Sequence, residues 1–336
     1  MNSSLFNEED KVLLLGEGNF SFAVALFKKN LNINIIATCY EAELKKTAES
    51  NVEFLRANGV QVLMNIDATK LNESGKFETK FFDKIIFNYP HCGGKMRIEK
   101  NRQLLKEFFT SVGNILKSNG QVIVTLCNGQ GGTPADNPKR NWNDSWQIVE
   151  MSAHGNFLLI DVQLFDLAFF EINYQVTGYR SLEKEFHTKG SITHFFKQAN
   201  SFENTAINTI MGQLNLEKFD GIWKDIVRGE ILQINNEPIS LYPLNFTFDI
   251  TIFVKSGFSD SQLFGVLYNF AGRIIDSVEL IDTYEFPNCD DRKTRTYRIK
   301  YVSKFIPLYR KRVINIHQTI VTKILEENLS VTVSRV

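Results

Sequence analysis

A run of apolar residues that ends in two closely spaced glycines constrains the fold of this chain more than any other stretch. Residues 12–15 are Val-Leu-Leu-Leu, and Gly16-Glu17-Gly18 follows them directly. Such a run is typical of a parallel strand covered on both faces, and a glycine turn at its carboxyl end brings bare backbone close to a ligand. The sequence therefore predicts an α/β fold with a nucleotide-like ligand beside the first strand.

The residues around this turn narrow the class of ligand. A dinucleotide-binding turn has a third glycine where this chain has Ser21, and the Gly-Lys-Ser/Thr of a P-loop does not occur. Glu41 follows the second predicted strand (33–40), and Asp67 ends the third (61–67). Taken singly, each acid could equally be a turn residue that faces solvent and contacts no ligand. Together at successive strand ends they suit the ribose hydroxyls and the adenine amino group of a phosphate-free ligand.

S-adenosylmethionine is such a ligand, because it carries a ribose and an adenine but no phosphate. We therefore predict it as the cofactor. The predicted cofactor contacts are Gly16, Glu17, Gly18, Asn19, Phe20, Glu41 and Asp67.

The fourth predicted strand starts at Phe82 and stops at Asn88-Tyr89-Pro90-His91. Pro90 favours an extended backbone at Tyr89 and ends the strand. The Asn88 amide offers a donor and an acceptor to the edge of a nucleobase, and the Tyr89 ring offers a stacking face. The alternative is an ordinary exit from strand to loop. A polar-aromatic-Pro sequence at this place predicts methylation of a base nitrogen.

These motifs together resemble the eukaryotic rRNA uridine-N3 methyltransferase family. The resemblance covers roughly residues 10–197. It includes GEGNFSF at 16–22, NYPH followed by Gly93-Gly94, and the segments 101–109, 120–126 and 178–180. It implies a Rossmann-like class I methyltransferase domain over residues 1–198, with catalytic residues Asn88, Tyr89, Pro90 and His91. For a uridine N3 target, His91 is either the base that accepts the ring proton or a structural residue that holds the loop.

The C-terminal part of the chain has a different pattern. Residues 246–254, 274–284, 293–302 and 330–336 are predicted strands, and helices are predicted at 260–270 and 309–328. This order is the split βαβ arrangement of an α+β ferredoxin-like fold. Tyr242-Pro243, residues 282–284 and His317 are similar to the ferredoxin-fold anticodon-binding domain, which implies tRNA contact. We predict this domain at 241–336, behind a linker (199–240) with a helix near 216–228.

A basic stretch in this second domain indicates RNA binding. Nine Lys or Arg and no acid occur from Arg292 to Arg312, with aromatic residues between them. Cations can contact RNA phosphates, and the aromatic rings between them can stack on bases. The alternative is that these residues form a strand face that is exposed to solvent and binds nothing. The predicted RNA-binding residues are Arg292, Lys293, Arg295, Arg298, Lys300, Lys304, Arg310 and Arg312.

A glycine-rich segment follows the fifth predicted strand, with Gly129-Gln-Gly-Gly-Thr133 at its centre. At the carboxyl end of a parallel strand it lies on the ligand side of the sheet, next to a flipped base or the methionine end of the cofactor. Trp142 and Trp146 are four residues apart, so we expect them on one face of a helix that packs against the sheet.

Composition sets the remaining expectations. The net charge is zero, with 38 basic and 38 acidic residues, which excludes a protein that coats polyanions. The four cysteines and five histidines lack metal-ligand spacing, and no apolar run is long enough for a membrane span. We expect a reducing compartment, no metal and no secretion, with a cytoplasmic location and a nuclear or nucleolar one left open. The oligomeric state stays undetermined.

Two functions from different classes are consistent with the sequence. The first is a S-adenosylmethionine-dependent RNA methyltransferase that acts on N3 of a uridine in rRNA or tRNA, with the C-terminal domain binding the RNA. The second is a catalytically inactive methyltransferase fold that binds RNA or serves as an accessory protein of a tRNA synthetase. The sequence is consistent with either rRNA or tRNA as the substrate.

Overall fold

The computed structural model describes residues 5–73, 75–93, 97–170, 174–177, 187–199, 238–287 and 293–334. The chain divides into two compact units, residues 1–198 and 199–336. The predicted helix at 216–228, the 178–180 motif and Arg292 lie outside the described residues.

The first unit alternates strands and helices. Its strands are β1 (Lys11–Leu15), β2 (Asn34–Thr38), β3 (Gln61–Leu63), β4 (Phe82–Asn88), β5 (Leu116–Leu126), β6 (Phe157–Leu164) and β7 (Ile192–Gln198). Its helices are α1 (Ser21–Phe27), α2 (Lys46–Ala57), α3 (Ile98–Val112), α4 (Ile148–Ala153) and α5 (Leu167–Phe170). A short 3₁₀ helix covers Trp142–Asp144.

These strands form one seven-stranded mixed sheet in the order β3-β2-β1-β4-β5-β7-β6. The strands from β3 to β5 are parallel, and β7 runs antiparallel to both of its neighbours. The predicted Rossmann-like fold is confirmed for this domain. The chain order reverses between β1 and β4, and ligands bind at such a switch point, beyond the carboxyl ends of the strands.

The core of this sheet follows from the apolar runs. Residues 12–15 of β1 are at most 1% exposed, as expected of a strand with helices on both faces. Helix α3 buries Leu105, Phe108, Phe109 and Val112, which recur at helical spacing and so form one apolar face. The sheet is therefore fixed from both sides at the strands that carry the candidate site.

The second unit has the order strand-helix-strand-strand-helix-strand. Its strands are β8 (Asn245–Val254), β9 (Ile275–Glu285), β10 (Lys293–Val302) and β11 (Thr332–Val333). Its helices are α6 (Asp260–Ala271), α7 (Arg310–Asn315) and α8 (Thr322–Asn328), with a π-helical stretch Ile316–Val321 between the last two. The sheet is antiparallel, in the order β11-β8-β10-β9.

Two boundaries in this unit differ from the prediction. The helix expected over 309–328 is interrupted by the π-helical stretch, in which Ile316, His317, Ile320 and Val321 are buried. The wider π turn keeps these four side chains on the core side. The last strand is limited to Thr332–Val333 within the described residues, because only this pair is in register with β8.

Candidate active site at the ends of the parallel strands

The predicted cofactor and catalytic residues follow four neighbouring strands. Asp67 comes after β3, Glu41 after β2 and Gly16–Gly18 after β1, and Asn88 ends β4. The sheet order β3-β2-β1-β4 puts these positions side by side. Leu15 of β1 pairs with Phe87 of β4, so the glycine turn begins next to Asn88. The fold therefore brings the separate motifs to one edge of the sheet.

The glycine turn requires glycine for two reasons. Gly16 and Gly18 have φ angles of +64° and +61°, which disfavour residues with a Cβ. A Cβ on Gly16 would lie 2.6 Å from the Phe87 ring, and one on Gly18 would lie 2.7 Å from Thr177 Oγ1. The space that a side chain would take is thus filled by this chain itself. Gly16 remains exposed, so its backbone still faces solvent at the site.

The side chains of Asn19 and Phe20 are turned into the protein, so a cofactor contact at these two predicted positions would involve their backbone. Phe20 is fully buried in the core and precedes α1 with φ +60°. The Asn19 side chain accepts a hydrogen bond from Ser21 N–H at 3.0 Å and donates one to Gln175 O at 3.0 Å. Both residues lead into helix α1, where the Asn19 side chain bonds the first helical residue and the Phe20 ring packs into the core.

Residues 174–177, which we call the covering segment, lie against the glycine turn. The carbonyl of Gln175 accepts hydrogen bonds from Asn19 Nδ2 and from Ser21 Oγ, the latter at 2.9 Å. Gln175 N–H donates back to Ser21 Oγ at 3.0 Å. These bonds hold one wall of the candidate site against the start of α1. No local pattern predicts these bonds, because the partners are more than 150 positions apart.

Glu17 is bonded to two elements of the fold. Its N–H donates to Thr38 O at the end of β2 at 2.9 Å, and its Oε2 accepts from Ala23 N–H in α1 at 2.8 Å. Glu17 as a whole residue is partly exposed, but its carboxyl group is buried in the protein. This burial raises the pKa of the carboxyl from 4.5 to about 8, against the lowering effect of the Ala23 bond.

Glu41 and Asp67 lie in the loops that follow β2 and β3. The Glu41 carboxylate is 2.8 Å from Lys45 Nζ in a solvent-exposed pair. Asp67 Oδ1 accepts hydrogen bonds from the backbone and the hydroxyl of Thr69, at 2.9 and 2.7 Å. Asp67 therefore stabilises its own turn with one oxygen, and Oδ2 has no hydrogen-bond partner among the described residues. Both strands end before the predicted boundary, at Thr38 and Leu63.

The Asn88 side chain is buried without partners. Neither its Oδ1 nor its Nδ2 has a hydrogen bond within the described part of the chain, although both atoms are shielded from solvent. A buried amide that lacks partners costs free energy, so a bound group that satisfies it would stabilise this arrangement. The orphaned amide fits the predicted contact to a base edge or to a cofactor, because it offers one donor and one acceptor.

Tyr89 differs from the prediction in backbone and in side chain. Its φ is +48°, not extended, and it is 7% exposed, with its ring edge-on to Phe165. Its N–H donates to Thr125 O on β5 at 2.8 Å, which overrides the preference imposed by the following Pro90. Burial raises the pKa of the Tyr89 hydroxyl far above its ordinary value. The expected exposed stacking face is therefore wrong for this arrangement.

His91 acts as a loop residue in this structure. Its Nδ1 accepts a hydrogen bond from Gly93 N–H at 2.9 Å, which assigns the ring proton to Nε2 in the neutral tautomer. Burial lowers the pKa of the ring below 6.5, so the neutral form dominates at neutral pH. Of the two roles left open by the sequence, the geometry favours the structural one, since the lone pair of Nδ1 is already used.

Two residues that the sequence reasoning missed hold the loops of the site. Asn101, fully buried in α3, accepts a hydrogen bond from Cys92 N–H at 3.1 Å and so fixes the loop that follows His91. The neighbouring Arg102 donates from Nε and Nη2 to Ser145 O, at 3.0 and 2.7 Å, and to Asn143 O at 2.8 Å. The sequence feature that could have pointed to these two residues is the Asn-Arg pair at the start of the 101–109 motif.

The glycine-rich segment folds around a buried carboxylate. Asp136, 4% exposed, accepts hydrogen bonds from Gly129 N–H and Thr133 N–H, both at 2.8 Å. A Cβ on Gly131 would lie 2.7 Å from Nε2 of the buried His194. The glycines thus allow close packing onto β7. Trp142 and Trp146 do not share a helix; Trp146 is buried after the 3₁₀ turn.

In the second unit, four of the predicted RNA-binding cations are paired with acids. The pairs are Lys293 with Glu285 at 2.6 Å, Arg295 with Asp260 at 2.5 Å, Arg298 with Asp249 at 2.9 Å and Lys300 with Asp276 at 2.8 Å. Three of these acids are on neighbouring strands, so the charge of the basic residues in β10 is balanced by acids that lie beside them. Such exposed pairs add little stability, but they reduce the attraction for phosphate.

The remaining predicted cations lie around the start of α7. Lys304 and Arg310 are exposed, and the Arg310 guanidinium is 5.5 Å from the centre of the Phe248 ring. Arg312 donates to Pro307 O and lies 4.7 Å from the Tyr309 ring. This group, together with exposed Lys311, is the more accessible part of the predicted RNA surface.

The described part of the chain contains neither a candidate membrane span nor a candidate metal cluster. No helix there is long and apolar enough to cross a membrane. No group of three or more His, Cys, Asp or Glu side chains is placed to hold a metal ion in the same residues.

Comparison with known proteins agrees with the motifs of the first domain. Residues 13–178 match the model of the BMT5-like family, described as rRNA (uridine-N3-)-methyltransferase BTM5-like. The first domain matches this family. The resemblance to the eukaryotic rRNA uridine-N3 methyltransferase family is thereby confirmed.

Curated relatives extend the comparison. The chain is 39% identical over 239 residues to ferredoxin-fold anticodon-binding domain-containing protein 1 homolog of Mus musculus, and 43% identical over 200 residues to the Homo sapiens protein. These matches cover 70% and 58% of this chain but only 38% and 32% of the relatives, so the chain spans well under half of their length. The 25S rRNA (uridine(2634)-N(3))-methyltransferase of Saccharomyces cerevisiae is 26% identical over 136 residues, 31% of this chain and 40% of that protein.

One of the solved structures that the chain matches is a SAM-dependent methyltransferase from Aquifex aeolicus. It is 13% identical, with a TM-score of 0.37, and the match covers 56% of this chain and 82% of that one.

Proposed function

We propose that the first domain transfers a methyl group from S-adenosylmethionine to N3 of a uridine in RNA. The observation that carries the proposal is the buried Asn88 amide without partners, next to the glycine turn at the switch point of the sheet. The BMT5-like match supports the same chemistry. Ring-nitrogen methylation needs a donor for the methyl group and a polar group that orients the base, and this edge of the sheet offers both.

The chain's own residues would align the reactants. Bound S-adenosylmethionine supplies an electrophilic methyl on a sulfonium. Asp67 and Glu41 would hold the adenine amino group and the ribose, and Asn88 would hydrogen-bond the edge of the base. The loop of His91 is fixed by its bond to Gly93 and by Asn101. As the N3–CH3 bond forms, the S–CH3 bond of the sulfonium would break and the N3 proton would leave to solvent. The contribution of the protein is then mainly positioning, which accelerates a bimolecular displacement by holding the reactants in line.

For the second domain we propose a ferredoxin-like fold that binds the RNA. Its strand-helix-strand-strand-helix-strand order and antiparallel sheet support the fold. The exposed cations around α7 support contact with phosphates more than the paired cations of β10 do. Tethering such a domain to the methyltransferase domain would raise the local concentration of the substrate.

The test is methyl transfer by the full chain. The protein is incubated with methyl-labelled S-adenosylmethionine and with either unmodified rRNA or unmodified tRNA, and the digested nucleosides are analysed for 3-methyluridine by mass spectrometry. We expect the label in this nucleoside from one of the two RNAs. Asn88→Ala should lower the rate on the order of 100-fold, because the base loses its positioning group.

Asn143→Ala is the matched control, since the same residue type is removed from an exposed site. Label in another nucleoside would contradict the uridine-N3 assignment. No transfer to either RNA by a folded protein that binds the cofactor would refute the RNA activity.

A further inference from the structure

The carboxyl end of β5 lies beside the proposed base site. Asn88 pairs with Thr125 of β5, and the Tyr89 N–H donates to the Thr125 carbonyl at 2.8 Å. Strands are roughly 4.8 Å apart and residues along a strand roughly 3.3 Å apart, so Cys127 is roughly 8 Å from Asn88. Groups around Cys127 are therefore close to a nucleotide whose base reaches Asn88, provided that the proposed function holds.

Arg140 lies over the glycine-rich segment at this strand end. A Cβ on Gly129, which has a φ of +81°, would be 2.9 Å from Arg140 Nε. The absence of a side chain at this position therefore lets the guanidinium approach the backbone. The guanidinium also interacts electrostatically with the Cys127 thiol. Arg140 is exposed, and its side chain forms no ion pair or hydrogen bond with the described residues.

Two lysines are held at the same strand end. Lys139 is in the same segment, and Lys189 is in the turn before β7. The Asn128 amide connects the two segments, because it exchanges two hydrogen bonds with the backbone of Asn137, one of them at 2.9 Å, and a Cβ on Gly190 would lie 3.3 Å from its Nδ2. Both lysines are exposed, and neither forms an ion pair within the described part of the chain.

The charge of these cations is not balanced at the surface. Asp136 is the only acid in residues 127–140 and 187–190, and it is 4% exposed. Its carboxylate is bonded to Gly129 N–H and Thr133 N–H inside the segment. This arrangement differs from β10, where each of four cations has an acid beside it. We call the exposed group the β5-end cluster; it consists of Lys139, Arg140 and Lys189.

We propose that the β5-end cluster binds the phosphodiester backbone of the RNA next to the nucleotide that is methylated. A nucleotide whose base is turned into a protein site keeps its phosphates at the surface around that site. Cations at this place hold the strand without reading its sequence, whereas the Asn88 amide contacts the base. Arg140 suits the task because a guanidinium can bind a phosphate through two parallel hydrogen bonds. The glycine-rich segment is then the support that positions this cluster.

The test is binding of a fluorescein-labelled 12-nucleotide oligouridylate to the full chain, followed by fluorescence anisotropy between 50 and 300 mM salt. One phosphate contact to a single strand contributes roughly 0.7 to the slope of log K against log salt concentration, or roughly eightfold in affinity at 50 mM relative to 1 M salt. Arg140→Ala should lose this contribution, and Lys189→Ala should lose a similar one. Arg140→Lys keeps the charge and should retain most of the slope.

Arg56→Ala is the matched control. Arg56 is exposed in the last turn of α2, which leads to the amino end of β3 and therefore to the opposite edge of the sheet. The control should leave affinity and slope unchanged. Repeating the comparison in a Lys311→Ala protein reduces the contribution of the second domain. Equal slopes for Arg140→Ala and Arg56→Ala in both backgrounds, or no binding of the oligouridylate by the wild-type protein, would overturn the role of the cluster.

Methyl transfer separates this inference from the proposed function. In the assay for 3-methyluridine, Arg140→Ala should raise KM for the RNA far more than it lowers kcat, because the phosphate contact is the same before and during the displacement. A reduced slope in Arg140→Ala without methyl transfer by the wild-type protein would refute the reaction and keep the cluster. Methyl transfer with the same KM in Arg140→Ala and Arg56→Ala would keep the reaction and refute the cluster.

Discussion

Replacing Asp136 should destabilise the first domain strongly, although the residue touches no predicted ligand. Its carboxylate accepts hydrogen bonds from Gly129 N–H and Thr133 N–H at 2.8 Å, and the residue is 4% exposed. A hydrogen bond to a charged group contributes about 1.5–3 kcal/mol. Asp136→Ala leaves both N–H groups buried without acceptors, so we expect a loss of about 3–6 kcal/mol in the free energy of unfolding. Asp136→Asn keeps one acceptor oxygen and should lose about half as much.

The assay is urea denaturation at pH 7.5, followed by the emission of Trp142 and Trp146, which flank this segment. The midpoint should shift while the slope stays constant. Asp144→Ala is the matched control, because Asp144 is exposed and accepts only one long bond, from Asn141 at 3.4 Å. If Asp136→Ala is within about 1 kcal/mol of Asp144→Ala, the carboxylate does not organise the segment and the reasoning fails.

Two further predictions concern charge. Burial lowers the pKa of His194 to about 4, so the stability it contributes is complete above pH 6.5 and is lost as the pH falls toward 4, by about 3 kcal/mol. The difference in unfolding free energy between wild type and His194→Gln should shrink by this amount between pH 7 and pH 4, and a constant difference would contradict it. Lys311→Ala should weaken RNA binding and lower the slope of log K against log salt concentration by about one. Lys300→Ala should change both quantities less, because its cation is paired with Asp276. Equal effects of the two variants in a filter-binding titration would argue against this distinction.

Local patterns predicted the framework of both domains well. The strands Phe82–Asn88 and Lys293–Val302 begin and end where the sequence pattern placed them, since alternation and apolar runs are properties of the local chain. The glycine turn was found for the same reason, because positive φ selects glycine regardless of distant contacts.

The functional details that failed depend on contacts between distant parts of the chain. The basic run looked unpaired because its acids, such as Asp249 and Asp276, belong to strands that become neighbours only after the sheet has formed. Tyr89 has a positive φ because its N–H bonds a carbonyl of β5. Rules based on neighbouring residues cannot predict this bond, because the partner is far away in the sequence. The bond between Gly93 N–H and His91 Nδ1 depends in turn on a loop that Asn101 holds from α3.

The adjacent residues Asn101 and Arg102 have a mechanical consequence. Asn101 bonds the loop after His91, and Arg102 bonds the segment that leads to Trp146. A single turn of α3 therefore connects the two through hydrogen bonds. The two rings are themselves 6.3 Å apart. We therefore expect a substrate that shifts the His91 loop to disturb the segment around Trp146 as well, and so to change the fluorescence of this indole although the loop itself contains no tryptophan.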